Sequence, residues 1–253
     1  MSCWTAKRNN MPFWKKKAAE TADLSWLKTD IHSHLVPGID DGSPDLATSV
    51  ELIRGLQELG YKKLVTTPHV LSDMYPNTPA IIGAGTDKLK AAVQAEGIDI
   101  ELRGAAEYFL DDHFDNNLKT KTPLLTISGN MVLVEFSMIM APMDLQELIF
   151  ELQMQDYQPL IAHPERYIYL TRKREFFDEL KELGCLFQLN LLALGGHYGT
   201  SVQELADYLL RKEYYSYVGT DLHHARHLDA LRRLPAAAIK RLRDSGRIRN
   251  DSL

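Results

Sequence analysis

The stretch Asp30-Ile31-His32-Ser33-His34-Leu35-Val36-Pro37-Gly38-Ile39-Asp40-Asp41-Gly42 sets two imidazoles and an acidic pair at the end of an expected first strand. Strand residues two apart point to the same face. His32 and His34 therefore leave the strand side by side, as two ligands of one metal ion would. A polar strand end of this kind is a poor way to build a core. A His-x-His pair also arises by chance, so its meaning depends on whether the rest of the chain supplies matching ligands.

The chain has 253 residues, of which 45% are hydrophobic and 25% charged. That is an ordinary globular composition, and the length suits one large α/β domain. A net charge of −5 supplies no basic field for nucleic acid, so no nucleic-acid partner is expected. Cys3 and Cys185 cannot build a disulfide framework, which favours a reducing, cytoplasmic compartment. No apolar run approaches the length of a bilayer span. Residues 1–23 form an extension in which Trp4, Phe13 and Trp14 mix with Lys7, Arg8, Lys15, Lys16 and Lys17, without the apolar run of a signal peptide. This extension is expected to be a flexible tail, with weak membrane-surface contact as the alternative. Residues 24–253 are expected to form a single catalytic domain.

Along that domain, strands are expected at 26–31, 63–67, 98–103, 130–136, 159–162, 186–189 and 215–218. Helices are expected at 46–59, 78–95, 144–155, 173–183, 202–211 and 227–243, with 111–118 a short excursion. In the first helix Leu46, Val50, Ile53, Leu56 and Leu59 recur at helical spacing and Gly60 stops it. About seven strands alternating with helices predict a parallel α/β architecture. A closed barrel and an open doubly wound sheet both satisfy that count.

The polar residues then fall at one end of the strands. His69 follows the second strand, Glu107 the third, and Glu135 closes the fourth. His163 follows the fifth, Asn190 the sixth, and Asp221 and His223 the seventh. In parallel α/β folds the active site lies at the C-terminal strand ends. Glu135 sits between Val134 and Phe136, where a buried carboxylate is costly unless paired or bound to metal. Imidazole and carboxylate without thiolate suit Zn, Mn or Fe. With Asp41 included, the candidate ligands exceed the needs of one tetrahedral ion and suit two or three. Paired cations of this kind hydrolyse phosphate esters.

Other chemistries fit less well. A thiolate phosphatase needs Arg six residues after its Cys; Cys185 is followed there by Leu191 and Cys3 by Asn9. There is no Gly-x-Ser-x-Gly elbow and no Walker loop. Gly195-Gly196 followed by Gly199 reads as a mobile loop at the mouth, with His197 and Tyr198 on the rim. His224 and His227 are expected outside the metal shell. Arg166 and Arg226 each stand three residues after a candidate ligand, and guanidinium forks bind phosphate in a bidentate way.

Asp-Ile-His-Ser-His with Asp-Asp-Gly, then Thr-Pro-His, Glu-Tyr-Phe, Val-Glu-Phe, Ala-His-Pro-Glu-Arg-Tyr and Thr-Asp-Leu-His-His resemble the PHP (polymerase and histidinol phosphatase) superfamily. Within it the chain is similar to the metal-dependent protein-tyrosine phosphatases of bacterial capsular and exopolysaccharide loci. The resemblance implies a distorted (β/α)7 TIM-like barrel of the PHP type, with parallel strands and a trinuclear site at their C-terminal ends. It implies one ion on His32, His34, Glu107 and Asp221, a second on Glu107, Glu135 and His163, and a third on Asp41, His69 and His223. Two or three divalent ions are thus implied, Mn first and Fe or Zn as alternatives. Arg166 would hold the substrate phosphate. The family's second arginine position is occupied here by Leu228, which leaves Arg226 as its candidate replacement. The implied substrate is phosphotyrosine on the tyrosine kinase of polysaccharide export. The rivals are a PHP phosphatase of a small metabolite such as histidinol phosphate, and a non-catalytic, metal-stabilised binding module.

Overall fold

The computed structural model describes residues 23–253, so the N-terminal aromatic and cationic stretch lies outside the described residues. The described strands are β1 (Thr29–Asp30), β2 (Lys63–Thr66), β3 (His69–Val70), β4 (Glu101–Gly104), β5 (Glu107–Phe109), β6 (Met131–Glu135), β7 (Gln158–Ala162), β8 (Leu186–Asn190) and β9 (Tyr215–Gly219). The helices are α1 (Leu46–Glu58), α2 (Pro79–Ala95), α3 (Asp112–Lys119), α4 (Leu145–Met154), α5 (Glu175–Glu182), α6 (Leu191–Leu194), α7 (Thr200–Arg211), α8 (Ala225–Arg232) and α9 (Ala236–Asp244).

Every ladder is parallel. One sheet has the order β1-β2-β4 and the other β3-β5-β6-β7-β8-β9. The two sheets share strands, because β2 runs on into β3 and β4 into β5 after short breaks at Thr67-Pro68 and Ala105-Ala106. Pro68 lacks the N–H a continuous ladder would use. Beyond β1 the chain reaches β9: the His34 N–H donates to the Leu222 carbonyl at 2.9 Å and the Asp221 N–H to the His32 carbonyl at 2.8 Å. These bonds and the Ser33–Leu222 bridge bring the first and last strands together, so the expected seven strand tracks form a distorted barrel.

Alternation along the strands separates two cores. Ile31, Val65, Ala105, Met131, Leu133, Leu160, Ala162 and Tyr217 pack together inside the ring. Residues of opposite parity, such as Leu64, Val132, Val134, Ile161 and Phe187, pack outward against the helices. This parity delivers the site. Met131 and Leu133 point inward, so Glu135 also points inward, one step beyond the end of the apolar filling.

Three expectations are corrected. Residues 26–31 are not one strand. The Asp23 carboxylate accepts the Ser25 N–H, a 3-10 turn runs Ser25–Leu27, and Lys28 takes a positive φ before β1 begins. The excursion at 111–118 is helix α3, because the Asp111 side chain accepts the Phe114 N–H as an N-cap. The helix expected at 227–243 is divided into α8 and α9, since Pro235 can neither donate nor fit inside a continuous helix.

Candidate metal centre

All nine candidate ligands converge at the C-terminal mouth of the barrel. Four groups of ligand atoms lie within 4.8 Å of one another: His34, Asp41, His69 and His223; His32, His34 and Asp221; His32, Glu107 and His163; and His69, Glu107 and Glu135.

The backbone that gathers them is locally constrained. The loop after β1 folds back so that the Ser43 N–H donates to the His34 carbonyl at 3.0 Å. A Cβ on Gly42 would stand 2.3 Å from that carbonyl oxygen and 2.4 Å from the His34 Cβ. Glycine is therefore needed for the return that carries Asp41 over the mouth. A Cβ on Gly219 would stand 2.5 Å from the His32 Cβ, so glycine lets β9 approach the first histidine. His163 and Asp221 have φ of 32° and 50°, in the left-handed region that few non-glycine residues adopt and that His and Asp tolerate better than most. Ala162 points inward, so strand parity would turn His163 outward, and the left-handed turn at His163 carries its imidazole to the mouth instead.

The hydrogen bonds fix the histidine tautomers. His32 Nδ1 lies 2.9 Å from Gln188 Oε1, an oxygen that also accepts the His163 N–H while the Gln188 amide donates to the Leu189 carbonyl. His34 Nδ1 lies 2.8 Å from Asp40 Oδ2. Both partners are acceptors, so each Nδ1 carries the proton and each Nε2 presents a lone pair. The two Nε2 atoms face each other at 3.3 Å. Glu107 Oε2 stands 3.1 and 3.4 Å from them, and Asp221 Oδ1 3.3 and 3.4 Å. Four lone pairs thus meet with no donor among them. That arrangement is unstable without a cation at its centre, and the donor set fits a divalent metal.

Glu107 spans the site. Its Oε1 lies 3.1 Å from His163 Nε2, and its Oε2 faces His32, His34 and, at 3.2 Å, His69 Nδ1. His69 Nδ1 is also 3.0 Å from Glu135 Oε1. Glu107 Oε2 and His69 Nδ1 are fully buried and have no hydrogen-bond partner. His69 Nε2 and His223 Nε2 each lie 3.5 Å from Asp41 Oδ1. Without metal, protons take the cations' place. Burial lowers the His32 pKa, but Glu107 and Asp221 outweigh it and push it up to about 9. The His223 contact holds Asp41 down to about 2. Metal uptake must therefore displace protons.

Arg166 also reaches the mouth, and its Nη1 donates to Asp221 Oδ2 at 3.0 Å. It lines a cavity of about 420 Å³ with Asp41, His69, Glu135, Asp221 and His223. Leu71, Tyr75, Phe109 and Met138 give this cavity an apolar wall. Arg226 lies apart. It is exposed on α8 and is not among the cavity's lining residues. His224 and His227 line the cavity without joining any of the four ligand groups. Asn190 orders the site: its Nδ2 donates to Asp221 Oδ2 at 2.8 Å and to Tyr198 Oη at 3.0 Å.

Sequence reasoning missed Asp40, Gln188 and Glu165. Asp40 was legible only as part of the Asp-Asp-Gly turn. Gln188 is a buried polar residue between Phe187 and Leu189, a signal that appears once the strand parity is known, whereas Glu165 sits in the 3-10 turn Pro164–Arg166, where no periodicity marks it. Burial pushes Glu165 up to about 7, and it accepts the Asn190 N–H at 2.7 Å and the Tyr215 hydroxyl at 2.9 Å.

A family model described as "Capsular polysaccharide synthesis, CpsB/CapC" matches residues 28–241. The tyrosine-protein phosphatase YwqE of Bacillus subtilis is 27% identical over 197 residues, covering 78% of each chain. The tyrosine-protein phosphatase CpsB of Streptococcus agalactiae serotype V is 29% identical over 232 residues, covering 88% of this chain and 93% of its own. A crystal structure from a study of YwqE and of CpsB from Streptococcus pneumoniae, described as unique metal-dependent tyrosine phosphatases, superposes with a TM-score of 0.77 at 26% identity, over 84% of this chain and 86% of that one. Histidinol phosphate phosphatase of Lactococcus lactis shares the fold, with a TM-score of 0.51 at 14% identity over 83% of this chain and 93% of that one.

Proposed function

From the chain's membership of the CpsB/CapC capsular polysaccharide synthesis family, we propose that it is a metal-dependent phosphomonoesterase acting on protein phosphotyrosine. The observation that carries this reading is the meeting of His32 Nε2, His34 Nε2, Glu107 Oε2 and Asp221 Oδ1 with no donor between them. His32, His34, Glu107 and Asp221 would hold one ion, Glu107, Glu135 and His163 a second, and Asp41, His69 and His223 a third. The ions, two or three in number and Mn first, would supply a water nucleophile at neutral pH and a clamp for phosphoryl oxygens.

The chain's own residues do the rest. Gln188 and Asp40 hold the His32 and His34 tautomers, so each Nε2 stays a lone-pair donor. Arg166 lies beside the centre with its guanidinium partly open to the cavity, where it binds the phosphoryl oxygens and stabilises their charge as the P–O bond breaks. The apolar wall of Leu71, Phe109 and Met138 receives an aromatic ring. Tyrosine leaves as a phenolate of moderate basicity, so the leaving oxygen needs little help from an acid. The substrate we assign is the phosphotyrosine-bearing kinase of polysaccharide export, met in the cytoplasm where kinases draw on ATP. Among the described residues no helix is long and apolar enough to cross a membrane.

The test compares kcat/KM of the metal-loaded chain on a phosphotyrosine peptide and on histidinol phosphate. The proposal expects a clear preference for the peptide. A preference for histidinol phosphate would reassign the substrate to a small metabolite.

A further inference from the structure

The loop Gly195–Gly199 carries one aromatic residue that the ligand set does not use. Tyr198 lines the cavity, and its ring lies under the Arg166 guanidinium, with 4.9 Å between Cζ and the ring centroid. Its hydroxyl accepts a hydrogen bond from Asn190 Nδ2 at 3.0 Å. The same Nδ2 donates to Asp221 Oδ2 at 2.8 Å, the oxygen that also accepts from Arg166 Nη1 at 3.0 Å. Arg166 is therefore held on two sides, by the Asp221 carboxylate at Nη1 and by the Tyr198 ring beneath Cζ. Asn190 ties both holders to the end of β8.

A guanidinium binds phosphate through its edge, in its own plane. A ring beneath Cζ leaves free the edge that Asp221 does not take, and it restricts the guanidinium's swing out of the cavity. We propose that Tyr198 is a positioning residue for Arg166: its aromatic ring sets the guanidinium plane so that the open edge meets the substrate's phosphoryl oxygens. The inference rests on reading this site as a phosphatase. The ring is the working part, and the hydroxyl's bond to Asn190 only fixes the ring's tilt.

The experiment uses the metal-loaded full chain and two readouts, kcat/KM on a phosphotyrosine peptide and the inhibition constant of inorganic phosphate. Tyr198→Phe keeps the face and is expected within about twofold of wild type. Tyr198→Leu keeps bulk without the face. It is expected to lose about tenfold in kcat/KM and to weaken phosphate inhibition by a similar factor, with metal content and melting temperature unchanged. In an Arg166→Ala background, Tyr198→Leu is expected to add nothing, because the residue acts through the arginine. The inference is overturned if Tyr198→Leu matches wild type, if Tyr198→Phe loses as much as Tyr198→Leu, or if the two losses simply multiply. Activity of the wild type on the peptide checks the underlying reading separately: its absence would remove the phosphatase assignment itself.

Discussion

Arg166 and Asp221 share one carboxylate between two tasks. Asp221 Oδ2 accepts from Arg166 Nη1 at 3.0 Å, while Oδ1 of the same group faces His32 and His34 Nε2 at 3.3 and 3.4 Å. Arg166 is thereby held by a carboxylate that is itself one of the candidate ligands. Arg166→Ala should remove the phosphate contact and leave Asp221 in place through its Asn190 bond. We expect kcat/KM to fall about 10- to 100-fold, the range for a lost charge-assisted hydrogen bond, with metal content near wild type. Arg166→Lys should recover little, because an ammonium lacks the planar fork. Metal analysis beside steady-state kinetics checks this, and loss of metal in Arg166→Ala would mean that its role is to hold the centre together.

Glu107 is fully buried, and its two oxygens face different histidines, Oε1 towards His163 and Oε2 towards His32, His34 and His69. Glu107→Gln replaces one of those oxygens by an amide that cannot ligate. It should cost both activity and bound metal, measured by elemental analysis after dialysis against chelator-treated buffer. Full activity in this variant would sink the assignment of Glu107 to two ions.

Asp40 does not reach the ligand cluster itself, yet it decides which nitrogen of His34 carries the proton. Its carboxylate also accepts the His69 and Gly42 N–H groups at 3.1 and 3.0 Å. Asp40→Asn should weaken metal binding about 10- to 100-fold, the usual cost of removing a ligand's supporting carboxylate. Isothermal titration with Mn reads the change, and unaltered affinity would show that the loop alone holds the imidazole.

Cys185 is fully buried, and burial pushes its thiol up to about 12. A thiol in that state is neither nucleophile nor easy target. Treatment of the native protein with iodoacetamide should leave phosphatase activity unchanged. Loss of activity that follows modification of Cys185 would point to thiolate chemistry, against the account given for the site.

The ends of the strands were legible because polar residues there interrupt an apolar alternation, but His69 and Glu107, read as following the second and third strands, open β3 and β5 in the same tracks. Asp41 was placed only by the family resemblance that its Asp-Asp-Gly turn helps to carry, and the physical reason for the turn is visible in the close approach of Gly42 to His34. The breaks within the second and third strand tracks were not legible, since a parallel ladder hides which backbone bonds are made. Arg226 shows the limit of sequence distance as evidence. It stands three residues after His223, as Arg166 stands three after His163, yet α8 turns it into solvent while the 3-10 turn at Pro164–Arg166 carries Arg166 to the mouth. The role of Gln188 depends on contacts across the barrel, which no local pattern encodes, whereas Tyr198 was legible as a rim residue but its contact with Arg166 was not.

The most direct test of the central claim is phosphate release from a phosphotyrosine peptide by the chain stripped of metal and then reloaded with Mn. Negligible release is expected from the stripped protein, with recovery on reloading in wild type but not in Glu107→Gln. Hydrolysis by the stripped protein at the reloaded rate would contradict it, as would a reloaded protein that binds metal at all its sites and releases no phosphate.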